Sequence, residues 1–158
     1  MFRAVLMVLI LVGTGVAGFA QNKSRLDREI EALLQVHKKD RQAHFETDAR
    51  KLMEHAADDF IAVSNGTIQR STRAEVLKTF EAYFQNAKYF EWDDLEPPIV
   101  RVSNDASLAW MIVRTRVRRT QKQADGSDKE RSFVYAGIMT YEKKKGKWVR
   151  VANVSTFE

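Results

Sequence analysis

After the third helical segment of this chain the hydrophobic period changes from helical to alternating, and that change sets its fold class. Up to about residue 86 helical spacing predominates, broken by one short hairpin, and beyond residue 89 the apolar residues alternate. Leu26, Ile30, Leu33 and Leu34 mark a first helix over residues 24–46. Ser24 is its N-cap, and Asp27 sits in the first turn, where a carboxylate favours the helix dipole. Thr47-Asp48 ends this helix and caps a second over 49–56. Residues 60–63 read as a short strand. Asn65-Gly66 follows as a hairpin turn, since both central positions of a type I′ turn need positive φ. Thr72-Arg73-Ala74-Glu75 is a capping box opening a third helix, with Val76, Leu77, Phe80 and Phe84 on its apolar face.

The remainder reads as strands: 89–94 and 99–102, interrupted by Pro97-Pro98, then 108–121, 129–143 and 148–157. Asp125-Gly126 and Lys145-Gly146 turn the chain between the last three. Helices followed by long antiparallel strands give an α+β domain. With two-residue loops, Trp110 opposes Tyr141 and Arg116 opposes Tyr135, so Arg116 over Tyr135 and Arg118 over Phe133 are expected cation–π pairs. One face of these strands then carries Leu108, Trp110, Ile112, Tyr135, Met139 and Tyr141, and the other Ala109, Met111, Val113, Val117, Val134 and Ile138. A sheet with one wet face alternates more cleanly. Both faces are therefore expected to be covered, one by the helices and one by a partner chain.

The N-terminus has a separate logic. Arg3, the apolar run 4–12 and the small-x-small ending Gly18-Phe19-Ala20 form a secretory signal pattern. Residues 1–20 are expected to be removed, leaving 21–158 as one exported domain, periplasmic or secreted, with no stable membrane anchor. An uncleaved anchor is the alternative, but residues 4–20 are at the short limit for crossing roughly 30 Å of hydrocarbon, and three glycines weaken them as a helix. The chain has no Cys, which excludes disulfides, thiol catalysis and Cys-ligated metals. No phosphate-binding glycine loop or nucleophile elbow is present, and no cofactor is implied. A formal charge of +5 without a nucleic-acid-binding motif, on an exported chain, does not point to nucleic acid.

The run Ala57-Asp58-Asp59-Phe60, then Asn65-Gly66, then the Thr72-Arg73-Ala74-Glu75 helix start, with Gly146-Lys147-Trp148 leading into the last strand, resembles the nuclear transport factor 2-like superfamily. Its SnoaL-like branch is the nearest type, and the resemblance covers nearly all of residues 24–157. It implies three helices followed by long strands, with a curved antiparallel sheet wrapped around the first helix as a cystatin-like cone. It also implies a pocket at the open end and a homodimer through the outer sheet face. The superfamily holds enzymes and non-enzymes, so fold alone names no reaction. Its ketosteroid isomerases place a general-base carboxylate where this chain has Ser64, a second acid near Gly137 and a tyrosine near Asp40. None of the three roles is kept, which argues against that reaction.

The candidate site lies at the end of the first helix. At about 100° per residue, the stripe of Leu26, Ile30 and Leu33 continues through His37, Asp40, Arg41 and His44. A core-facing stripe that turns polar must pair internally or meet a wet cavity, because an unpaired buried polar group costs roughly 1–3 kcal/mol. One reading is a pocket floor that takes a small organic ligand. There His37 or His44 acts as acid/base with Asp40 orienting it, and Arg41, Ser64, Trp110, Arg114, Arg116, Tyr135 and Tyr141 contribute to binding. The other is that the helix leaves the sheet and these side chains are solvated. A metal site is disfavoured, since His37 and His44 lie two turns apart and no fourth ligand is visible. The basic hairpin ends (Arg114 to Arg119 and Lys143 to Lys147) read as a solvated, aggregation-resistant edge, with binding of an anionic partner as the alternative. The acidic run Glu91, Asp93, Asp94 and Glu96 reads as a solvated strand end. The function expected is small-molecule binding. The alternatives are a lyase, isomerase or hydrolase using the His/Asp pocket, and a non-catalytic interaction domain.

Overall fold

A computed structural model describes residues 24–158. The signal segment read at residues 1–20 lies outside the described residues. Helix α1 (Arg25–Glu46) is capped by Ser24, whose hydroxyl accepts from the Asp27 amide while the Asp27 carboxylate accepts from Ser24 N–H. A short α2 (Ala49–Leu52) follows, then β1 (Ala56–Ser64), β2 (Thr67–Thr72) and α3 (Arg73–Phe84). The second helix is shorter than expected because the chain is already extended at Ala56, where β1 begins. Asn65 (φ 50°) and Gly66 (φ 74°) form the anticipated hairpin turn, and Thr72 and Glu75 cap α3 reciprocally.

The strands β3 (Ala87–Asp94), β4 (Ile99–Val102), β5 (Leu108–Lys122), β6 (Asp128–Lys144) and β7 (Lys147–Phe157) complete a seven-stranded sheet in the order β2-β1-β7-β6-β5-β3, with β4 also on β5. It is antiparallel except for β1 against β7, which run parallel. Helix α1 packs on the inner face. Leu33 and Val36 meet Met111, Val113, Met139, Tyr141 and Trp148 at the closed end. Ala43 joins α2, Phe84, Tyr89 and Val117 nearer the mouth. Glu29 accepts from Trp148 Nε1 at 2.9 Å and pairs with Lys143, tying the start of α1 to the sheet.

The register between β5 and β6 differs from expectation by one residue. Ala109 opposes Tyr141, Trp110 opposes Thr140, Thr115 opposes Tyr135 and Arg116 opposes Val134. The cause is the loop. Gln123 N–H donates to the Ser127 carbonyl at 2.8 Å and Gly126 N–H to the Gln123 carbonyl at 3.0 Å, with Gly126 at φ 83°. Three residues, not two, therefore make the turn, and an odd change in loop length exchanges the faces. The inner face of β5 is Ala109, Met111, Val113, Thr115 and Val117, while Trp110, Ile112, Arg114 and Arg116 are exposed on the outer face. The expected cation–π pairs are replaced by Arg118 over Phe90 and Arg119 over Tyr83.

Candidate functional site

The polar stripe of α1 is buried. His37, Asp40 and His44 are 9%, 7% and 7% exposed and line a cavity of about 460 Å³ between α1, α3 and the inner sheet face. That burial excludes the reading in which the helix leaves the sheet and these side chains are solvated. Arg41 departs from the stripe: it is exposed, donates from Nε to the Trp92 carbonyl at 2.6 Å and pairs with Asp93.

Asp40 and His37 each have a partner that sequence spacing did not supply. Asp40 is held by Arg150 of β7, whose Nη1 donates to Asp40 Oδ2 at 2.7 Å. Arg150 is buried, and its guanidinium lies 6.0 Å from the Phe60 ring centroid. A register shift opposite Thr140 and Tyr141 places it there. Thr140 pairs with Ala152 and Tyr141 with Arg150, so one residue of β7 is extra. Both Arg150 and Asn153 thereby face the cavity, although they are three residues apart. Strict alternation from Asn153 would have sent Arg150 outward. A second shift, between Tyr89 and Glu91, does the same for Tyr89 and Trp92.

His37 is held by Asp94, the last residue of β3. The Asp94 carboxylate accepts from His37 Nε2 at 2.8 and 3.0 Å and from Thr115 Oγ1 at 3.2 Å. Asp94 is exposed at the strand end, as expected, but its carboxylate turns onto His37, and Glu91 pairs loosely with Arg116 and Arg118 there. His44 lies flat on Trp92, with ring centroids 3.6 Å apart, and edge-on to Phe84 and Tyr89. Its Nδ1 is 2.7 Å from the Asp40 carbonyl oxygen, an obligate acceptor, so Nδ1 carries the proton and Nε2 the lone pair. Burial, reinforced by the nearby charges of Arg150 and His37, pushes His44 down to a pKa of about 4 against the opposing effect of the carbonyl. It is a neutral hydrogen-bonding group near pH 7, not an acid/base pair of matched pKa.

Tyr135 lines the cavity as expected, with its ring laid over Gly137, where an added Cβ would meet the hydroxyl at 2.3 Å. The side chain absent at the isomerase's second-acid position is what makes room for it. Burial raises the Tyr135 pKa. Tyr141 is fully buried in the core and held up to about 12 by burial, and it is not part of the cavity lining. Ser64 pairs with Thr67 at the hairpin end, outside the lining. Trp110, Arg114 and Arg116 lie on the opposite side of the sheet, a consequence of the three-residue loop. Among the described residues, no group of three His, Cys, Asp or Glu side chains is placed to hold a metal ion.

A profile of the SnoaL-like domain matches residues 35–155. The chain belongs to this family. Solved structures agree on the fold. A ketosteroid isomerase-like protein from Erwinia carotovora atroseptica superposes with a TM-score of 0.63 at 16% identity, covering 82% of this chain and 95% of that one. A cystatin-like protein from Caulobacter vibrioides gives 0.63 at 15% identity over 83% and 90%. A nuclear transport factor 2-like protein with a cystatin-like fold from Novosphingobium aromaticivorans gives 0.58 at 18% over 81% and 80%. No curated protein sequence matches significantly. In this SnoaL-like chain, Phe60, Phe80, Tyr83 and Phe133 form an aromatic wall above the polar floor. Three floor or wall atoms, Asp40 Oδ1, Arg150 Nε and Asn153 Oδ1, are buried without a hydrogen-bond partner in the chain.

Proposed function

We propose that this SnoaL-like protein is an exported, dimeric domain that binds a small organic molecule in the cone. The observation that supports this best is the cavity itself. Its roughly 460 Å³ falls within the size of ligand pockets, its wall is aromatic, and its floor carries the polar side chains of His37, Asp40, His44 and Arg150. A domain whose pocket is filled by its own side chains would not leave this space. Native mass spectrometry of the purified protein beside an Ala62→Phe variant tests the reading. Ala62 faces the cavity between Gln69 and Asn153, so the larger side chain occupies the space without removing a polar group. Wild type is expected to carry or take up a small molecule that the variant excludes. Equal behaviour of the two proteins, or no uptake from a broad ligand library, overturns the proposal.

The dimer reading is supported by the convex face. Ile99, Ile112, Ile138, Val154, Val63 and Ile68 are successive register partners across six strands. Four of them are 38–61% exposed, and Trp110 and Leu108 extend the patch. Contiguous apolar surface of this kind marks an interface. Sedimentation equilibrium is expected to show a dimer for wild type and a monomer for Ile112→Lys/Val154→Lys. Export is supported by the signal pattern, and N-terminal sequencing of exported protein should begin at Gln21 rather than Met1. Among the described residues no helix is long and apolar enough to cross a membrane.

The 2.8 Å contact of His37 with Asp94 supports a second reading, acid–base turnover of a small substrate by His37 with Asp94 as its positioning residue. Turnover of the bound molecule with a pH profile that disappears in His37→Gln, while binding persists, is the expected signature.

A further inference from the structure

The charge balance of the floor bears on what kind of molecule the cavity takes, an inference that rests on the ligand-binding reading above. Arg150 is the only guanidinium lining the cavity among the described residues, and it is already matched by Asp40 at 2.7 Å, with each side chain 11% exposed. His37 faces its own carboxylate, Asp94. The Nδ1 of His44 is committed to the Asp40 carbonyl. The one guanidinium of the floor therefore has its counter-charge within the chain.

An organic anion entering this floor would have to share Arg150 with Asp40. Two carboxylates in one poorly solvated site repel, and one of them is driven toward its protonated form. The uncharged polar groups of the lining point the same way: His44 Nε2 carries a lone pair that needs a donor, and Tyr135 and Asn153 carry donors that need an acceptor. A carboxylate offers no donor. An ammonium offers no acceptor and adds a cation beside Arg150. A hydroxyl or carboxamide supplies both roles without charge. The aromatic wall formed by Phe60, Phe80 and Phe133 suits the apolar remainder.

We infer that the cavity selects an uncharged ligand, an apolar body with a hydroxyl or carboxamide at its deep end, and that Asp40 is the residue that excludes organic anions. Asp40 acts here as a selectivity group: it occupies the arginine that an anion would otherwise use.

Isothermal titration of the intact domain at pH 7 with matched probes tests this: 2-naphthol against 2-naphthoate, and decanol against decanoate. For wild type, the alcohol of each pair is expected to bind at least about tenfold more tightly than its carboxylate. In Asp40→Asn the released guanidinium should raise carboxylate affinity about tenfold or more and reverse the preference. Carboxylates that bind wild type as well as the alcohols overturn the inference while leaving a ligand-binding cavity in place. So does an unchanged preference in a folded Asp40→Asn protein. Should that variant fail to fold, the wild-type ratio decides alone. If none of the four probes binds wild type, the inference fails, and failure of the broader ligand library as well removes the ligand-binding reading beneath it.

Discussion

Replacing Arg150 by Met separates a floor held by its ion pair from one in which the pair is incidental. Asp40 Oδ2 and Arg150 Nη1 are 2.7 Å apart, and both side chains are 11% exposed. Removing the guanidinium strands a carboxylate that already has one oxygen without a partner. Breaking a buried pair from one side costs about 3–5 kcal/mol, whereas exchanging both members for apolar side chains of similar volume is often neutral. The adjoining cavity lets water reach the stranded carboxylate, so the lower end, about 3 kcal/mol, applies here. The lost contact of Arg150 Nη2 with the Leu52 carbonyl is long, at 3.4 Å, and adds little. Urea unfolding followed by tryptophan fluorescence is a suitable assay, because Trp92 lines the same cavity. With a denaturant slope of about 1–3 kcal/mol per molar, the Arg150→Met midpoint should fall by roughly 1–3 M. Asp40→Leu/Arg150→Met should recover to within about 1 kcal/mol of wild type, a non-additivity expected of residues in contact. A double variant less stable than either single one, or an Arg150→Met protein within about 1 kcal/mol of wild type, refutes the reasoning.

Three further outcomes are expected. His44 binds its proton less readily in the folded protein, where its pKa is about 4, than in the unfolded chain near 6.5. Its neutral form is therefore favoured by folding. Stability should be complete above about pH 6.5 and fall by about 3 kcal/mol as the pH drops to 4, and His44→Phe should flatten that part of the profile measured by urea unfolding. Gly137→Ala places a methyl group against the Tyr135 hydroxyl and should cost about 1–3 kcal/mol by thermal unfolding, part of which Tyr135→Leu in the same background restores. Thr72→Ala removes the hydroxyl that accepts from the Glu75 amide at 3.3 Å, and should cost about 0.5–2 kcal/mol, measured in the same way.

The fold was legible where local chemistry decides it. Ser24 with Asp27, Thr72 with Glu75, and Asn65-Gly66 each act within four residues, and each stands where the sequence places it. The buried polar stripe of His37, Asp40 and His44 was legible for the same reason, because a helix fixes direction by residue count. Arg41 shows the limit of that rule: one residue past Asp40, it is far enough round the helix to reach Trp92 and Asp93 from outside. The partners were not legible. Arg150 and Asp94 lie 110 and 57 residues from the groups they hold. Arg150 also depends on an extra residue in β7 that reverses the parity of the strand. The face on which Trp110, Arg114 and Arg116 lie turns on a single residue of loop length. The local signal that bears on it is Gly126 followed by Ser127, which suits a turn ending in a left-handed glycine as well as a two-residue turn.

That loop has a bearing on how such a chain can vary. The turn through Ala124, Asp125 and Gly126 is solvent-exposed and makes no contact with the cavity, the kind of place where added or lost codons are ordinarily harmless. Here an in-frame loss of one codon would leave the hairpin free to form, but with Met139 and Tyr141 carried to the side that Ile138 and Thr140 now occupy. Natural length variants at this tip should therefore differ by even numbers of residues, or bring a compensating kink elsewhere in the same hairpin.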